Sequence, residues 1–366
     1  MRAIAWTWAV VVGCAAPLTR GQPATNPPEV ERGIPVVIAD PENPDRYDIT
    51  VDPFPGRPIT PVAEAITLGS GPIPMILIPS VGCDWTVWRG FMERNAARYS
   101  MAAVTLPGFG GSEPPPWHEE DDLGDLPYMR NAAKALLALI DESGMHRPVL
   151  VGHGMGGMLA AWAAAKNPDK VRAAISIDGA PIYITTIDEL DNDRGLRREH
   201  VTKGLTQGLK DDSPQDWEDR LQMMAQDGVT DPVRVEQVRR MYMTTLRGTL
   251  IQSTMEYMMA DLRVPLMTMQ VPTLFVGVLP PDPQYRPLAV RQRWSDVLGR
   301  PANTIFVLLE NTRHFVMDDQ PEQLDALVQK FILGQPIDNA MVSIDGTAKP
   351  LNPELQTEPA GAPPQP

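Results

Sequence analysis

VLVGHGMGGMLAAWAA, Val149 to Ala164, is the stretch whose reading decides the fold. It begins with apolar residues suited to a strand, turns through Gly152, Gly154, Gly156 and Gly157, and ends in an Ala-rich run suited to a helix. A strand that passes straight into a helix through so tight a turn brings two backbones nearly into contact. Side chains larger than hydrogen would hold them apart.

Outward from this turn, apolar runs of strand length recur at Ile73–Pro79, Met101–Leu106, Pro148–Gly152, Ala173–Ile177, Pro272–Val278 and Thr304–Leu309. Continuous apolar runs suit parallel strands covered on both faces. Helical patterns lie between them, the clearest being Met129–Leu139 and Pro321–Phe331. This alternation, with right-handed crossovers, predicts an α/β fold built on a doubly wound, mostly parallel sheet. Arg46–Val51 and Val62–Leu68 are expected to add antiparallel edge strands. The rhythm breaks between Ile177 and Pro272, where charged helical stretches (Asp188–His200, Asp211–Met224 and Pro232–Arg247) predict an inserted helical cap. The cap is rich in Met, with Met223, Met224, Met241, Met243, Met255 and Met259 among them. These either pack the cap onto the body or line a pliable roof for apolar ligands. The expected organisation is a signal at 1–21, a Pro-rich linker at 22–45, a core at 46–179 and 270–335, a cap at 180–269 and a Pro-rich tail at 336–366, with both ends disordered.

A chain of 366 residues, 43% of them apolar, can bury one large core with an insertion. A net charge of −14 and a pI near 4.8 leave no basic stripe for phosphates, which argues against nucleic acid as a partner. Met1-Arg2 followed by the apolar run Ala3–Gly13 fits a signal h-region and is too short to span a bilayer. Val11-Val12-Gly13-Cys14 is similar to a bacterial lipobox. The protein is therefore expected to be exported: periplasmic, extracellular or lipid-anchored at the envelope, meeting a membrane only through a lipid on Cys14. Cleavage near Gly21 is the competing reading. Once Cys14 is removed or lipidated, Cys83 has no disulfide partner. The acidic run Glu119–Asp122 reads as a solvated loop. With no metal-ligand spacing, P-loop or dinucleotide fingerprint, no cofactor and no metal are expected.

The Gly-rich turn, set between a strand and a helix, resembles the nucleophile elbow of the α/β-hydrolase superfamily, in its esterase, lipase and haloperoxidase-like branch. Gly152, His153, Met155, Gly156 and Gly157 match the signature G-x-S-x-G-G, and Gly154 stands where the serine belongs. Leu77-Ile78-Pro79-Ser80-Val81-Gly82 resembles the oxyanion loop, with Pro79-Ser80 in place of the usual His-Gly pair. Trp88 sits where a Trp commonly starts the first helix, and Pro107-Gly108-Phe109-Gly110-Gly111-Ser112 resembles the family's turn after the next strand. The resemblance runs from Gly71 to about Gly334. It implies His314 as general base, the amides of Met155 and Val81 as oxyanion hole, and an acid after a late strand. For that acid Asp282 is the leading choice, although its Pro-stiffened loop is longer than usual, and Asp178 is the alternative. His153 is expected to be structural.

Gly154 carries no side chain, so no acyl-enzyme can form at the elbow. The expected ligand is a small apolar or ester compound. Either His314 activates water or the substrate itself in a non-covalent hydrolase, or the chain is a catalytically inactive, hydrolase-like binder of a ligand or protein. A substitution introduced into an ordinary serine esterase is the remaining possibility. Ser80 and Cys83 share one loop, but as nucleophiles they would approach from the oxyanion side, which argues against them. On this reading Gly154→Ser is expected to raise ester hydrolysis at least about a hundredfold.

Overall fold

The computed structural model describes residues 57–118, 121–183, 197, 199–201, 212–267, 269–282, 285–298, 301, 303–337 and 341–342. The expected signal, the Cys14 lipid site, the linker, the Arg46–Val51 strand, the Asp188–His200 helix (apart from a few of its last residues) and most of the C-terminal tail lie outside them.

Eight strands form one sheet in the order β1-β3-β2-β4-β5-β6-β7-β8. They are β1 (Glu64–Leu68), β2 (Ile73–Ile78), β3 (Tyr99–Thr105), β4 (Val149–His153), β5 (Ala173–Ile177), β6 (Thr273–Leu279), β7 (Thr304–Glu310) and β8 (Met341–Val342). The six central strands, β2 to β7, run parallel, and β1 and β8 pair antiparallel at the edges. β4, β5 and β6 are buried at every residue, which explains why their sequences are unbroken apolar runs rather than alternating ones.

Among the covering helices are α1 (Arg89–Asn95), α2 (Pro127–Ser143) and α3 (Met155–Lys166). α3 is buried along almost its whole length, with Met158, Leu159 and Trp162 fully enclosed. The tight passage from β4 into α3 has the expected cause: a Cβ on Gly152 would stand 2.0 Å from the carbonyl oxygen of Gly156. Only glycine permits that approach.

Between β5 and β6 come α4 (Pro214–Gly228), α5 (Pro232–Thr244), α6 (Arg247–Met259) and the short α7 (Arg263–Leu266). Ser213 starts α4 with a reciprocal capping box to Asp216, and Asp231 caps α5 before its N-terminal Pro232. These helices form the cap over the carboxyl ends of the strands. Phe315 donates its amide to Gly228 (2.9 Å), and the hydroxyl of Thr245 reaches the carbonyl of Gly82 (3.4 Å). Glu256 fastens α6 to the body. Its carboxylate accepts from the amides of Tyr128 (3.1 Å) and Met129 (2.9 Å), the unpaired donors that open α2, and from Gln252 (2.9 Å). Met224, Met241, Met255 and Met259 are buried and Met223 and Met243 exposed, so much of the cap's methionine is packing.

After β6 come α8 (Pro287–Leu298), and after β7 the turn α9 (Val316–Asp319) and α10 (Pro321–Ile332). Within the acidic run Asp121 departs from expectation: its side chain is 1% exposed, pairs with Arg57 and accepts from the amide of His118. A buried carboxylate needs such partners. Among the described residues no helix is long and apolar enough to cross a membrane, and no cluster of His, Cys, Asp or Glu could hold a metal ion.

Candidate active site

The carboxyl ends of β2, β4, β5 and β7 converge on one spot, where open parallel sheets generally place their ligands. β7 delivers His314, β5 delivers Asp178, β4 delivers Gly154 and β2 delivers Ser80.

His314 is 4% exposed and its Nδ1 lies 2.6 Å from Oδ2 of Asp178. A carboxylate accepts, so Nδ1 carries the proton and Nε2 is left as a bare base. Nε2 faces the hydroxyl of Ser80 at 3.4 Å. Asp178 is fully buried and sits in a left-handed turn at φ 48, a conformation unusual for a residue with a side chain. Burial raises its carboxyl from 3.8 to about 6, against the opposing hydrogen bond and charge of His314.

This geometry corrects the leading choice of acid. Asp282 lies exposed in the Pro-stiffened turn after β6, where its amide donates to Pro280 and its carbonyl accepts from Tyr285. The carboxylate on His314 is that of Asp178, one residue beyond the end of β5. β5 lies at the centre of the sheet, whereas the longer loop after β6 carries Asp282 out to solvent.

His153, the last residue of β4, backs the base. Its Nε2 donates to the carbonyl of His314 at 2.9 Å, and the two rings pack with centroids 4.0 Å apart. Complete burial, followed by the proximity of His314, pushes its pKa well below the usual histidine value and keeps it neutral. Phe315 closes the other side of the pair. His153 therefore has a positioning role that its place inside the turn had only marked as structural.

Gly154 adopts φ 53, ψ −120, a geometry that glycine accepts freely. Its amide donates to Ile177 at 2.8 Å. Met155 opens α3, so its amide has no partner within the helix, and Val81 follows Ser80 on the facing loop. Cys83 is buried and its thiol is pushed far up by desolvation, which makes it inert.

The space at the elbow is filled from the facing strand end. A Cβ on Gly154 would stand 2.1 Å from Oγ of Ser80, 2.9 Å from its Cβ and 3.1 Å from Cε1 of His314. The Ser80 hydroxyl therefore lies in the volume that a side chain on residue 154 would need. The sequence carried a signal for this in Pro79-Ser80, where a side chain replaces the family's glycine.

A cleft of about 630 Å³ runs between α1 and the cap, lined by residues including Asp84, Arg89, Arg94, Arg234 and Asp318. Ser80, Gly154 and His314 do not line it. Ser80 and His314 lie beneath the cap, at 2% and 4% exposure.

A mostly parallel sheet whose crest carries an imidazole paired with a buried carboxylate is the arrangement that this fold and site define. The family described as the alpha/beta hydrolase family matches residues 75–327, and the chain belongs to it. Among curated proteins, the pimeloyl-[acyl-carrier protein] methyl ester esterase of Proteus mirabilis is 26% identical over 117 residues, 32% of this chain and 40% of that one. That of Aeromonas hydrophila is 30% identical over 116 residues, 32% of this chain and 41% of that one. The chain thus spans about two-fifths of these relatives' length. Among solved structures, the enol-lactonase of Burkholderia xenovorans superposes with a TM-score of 0.54 at 17% identity, covering 75% of this chain and 98% of that one. A thermophilic esterase from Thermogutta terrifontis gives 0.54 at 18%, covering 73% and 92%. At such identities these likenesses show the fold alone.

Proposed function

We propose that the protein hydrolyses esters of small apolar compounds, with His314 as general base and Asp178 as the acid that orients it. The observation that carries this reading is the 2.6 Å contact between His314 Nδ1 and Asp178, which holds Nε2 as a free base at the crest. In this reading the amides of Met155, at the start of α3, and Val81, next to Ser80, serve as donors for a developing oxyanion, an arrangement generally worth about 10²–10³ in rate per donor. The esterase relatives support an ester substrate, and the buried setting of Ser80 and His314 supports an apolar one. Because Ser80 and His314 are buried, the cap must part to admit substrate. The apolar run Ala3–Gly13 supports export, with Cys14 as a lipid site, and mass spectrometry of the native N-terminus tests that.

A panel of p-nitrophenyl esters of two to ten carbons tests the activity. Turnover by the native chain that falls at least about a thousandfold in His314→Ala supports it. Tight binding of apolar esters without turnover refutes it in favour of a binding protein.

A further inference from the structure

We propose that Ser80 is the nucleophile of this site, so that the hydroxyl absent from the elbow is supplied from the neighbouring strand end. The inference rests on the ester-hydrolase reading above for its substrate and on the geometry alone for the nucleophile.

The sheet register places the two positions face to face. β2 and β4 are parallel neighbours, with Ile78 opposite Gly152. Two residues further along each chain come Ser80 and Gly154. At this point the crest has room for one side chain only, since a Cβ on residue 154 would overlap Oγ of Ser80 at 2.1 Å. A serine at 80 therefore requires glycine at 154, and glycine at 154 opens the slot that the Ser80 hydroxyl occupies. Gly154 is not a loss in isolation.

The hydroxyl also meets the base. Ser80 Oγ lies 3.4 Å from His314 Nε2, and His314 Nδ1 lies 2.6 Å from Asp178, so hydroxyl, imidazole and carboxylate form one chain. The first contact is long, as nucleophile–base contacts often are before substrate closes the site. The other nucleophile on this loop, Cys83, is held as an inert thiol by burial.

The reaction balances within these groups. Oγ of Ser80 bonds to the ester carbonyl carbon while its proton passes to Nε2 of His314. The carbon–alkoxy bond then breaks, and His314 returns that proton to the departing alcohol, leaving the acyl group on Ser80. Water attacks the acyl carbon and gives a proton to His314; the carbon–Oγ bond then breaks as His314 passes that proton to Oγ, which releases the acid and restores the serine hydroxyl.

The experiment combines a fluorophosphonate probe, which phosphonylates activated serines, with peptide mapping and with ester kinetics on the native chain, Ser80→Ala and His314→Ala. The expected result is one phosphonyl adduct on Ser80 that requires His314, with turnover falling at least about a thousandfold in Ser80→Ala at an unchanged melting temperature. Mapping is done on the native chain, so it stands whether or not a variant folds. Turnover that survives in Ser80→Ala but not in His314→Ala overturns the nucleophile and leaves the ester-hydrolase reading in place, with water attacking directly. A Ser80 adduct on a chain that turns over no ester upholds the nucleophile and overturns the substrate reading. Neither adduct nor turnover overturns both.

Discussion

Gly154→Ser restores the side chain that the elbow lacks, and the structure sets its cost. Its Cβ would have to fit 2.1 Å from Oγ and 2.9 Å from Cβ of Ser80, and 3.1 Å from Cε1 of His314. Holding a residue with a side chain at φ 53 adds strain of about 1–3 kcal/mol. Forcing atoms into a packed site costs about 1–3 kcal/mol more. The sum, about 2–6 kcal/mol, is a large part of the roughly 5–15 kcal/mol by which folded domains are stable. Urea unfolding should show that loss, and p-nitrophenyl ester hydrolysis should fall, because two hydroxyls compete for one slot beside His314. In Ser80→Gly/Gly154→Ser the overlap with residue 80 is gone, and the backbone strain and the 3.1 Å approach to Cε1 of His314 remain. That double variant should be at least about a hundredfold more active than Ser80→Ala. The sequence by itself suggests that Gly154→Ser raises turnover about a hundredfold; if it does so with no loss of stability, the slot is not occupied and the reasoning fails.

Two further perturbations separate chemistry from stability. The folded-state carboxyl of Asp178 is raised from 3.8 to about 6, so its contribution to stability is fully present below about pH 4 and is lost as pH rises through 6, a change of about 3 kcal/mol. Asp178→Asn should flatten that dependence and unfold later than the native chain at pH 8, while ester hydrolysis drops about 10⁴-fold because the imidazole loses its orienting acceptor; Asp282→Asn should change neither. In the native chain, kcat/KM should decline as pH falls through about 6, when the Asp178 carboxylate takes up a proton. Burial raises Glu256 from 4.5 to about 8, so its contribution is present below 4.5 and lost as pH rises through 8. Glu256→Gln sets an NH₂ against an amide of α2 and should cost about 1–3 kcal/mol at pH 6, with a smaller deficit at pH 9, read from urea midpoints.

The strands were legible because parallel strands buried on both faces leave continuous apolar runs, and the observed β5 matches its predicted span, Ala173–Ile177, residue for residue. The elbow was legible because close backbone approach leaves glycines at fixed spacing. His314 could be placed because it follows the last long strand. The acid could not, since Asp178 and Asp282 both follow apolar strands and the difference lies in the turns: a left-handed one at Asp178 that keeps the side chain at the crest, and a Pro-stiffened one that carries Asp282 to solvent. The ring contact of His153 with His314 joins residues distant in sequence and leaves no periodic trace. The place of Ser80 was hidden for the same kind of reason, because it depends on which strands are neighbours. Only the sheet order, with β2 beside β4, brings residue 80 onto residue 154.

Moving the hydroxyl from one strand end to the next has an energetic consequence. At the elbow a serine would have to hold the positive φ that Gly154 adopts, and strain of that kind is drawn from the stability of the fold. Ser80 is not among the residues with positive φ, so the side chain that reaches His314 stands on relaxed backbone while glycine takes the strained turn. The His314–Asp178 pair needs no adjustment, because it already meets the Ser80 hydroxyl. What changes is the amide that follows the nucleophile. It becomes that of Val81, on a loop, in place of Met155 at a helix N-terminus, where the aligned dipoles of α3 add to the field. If Ser80 attacks, Met155 is still present as the second donor, so the helix continues to stabilise the oxyanion from across the site. The exchange therefore removes strain without giving up an element that the chemistry uses.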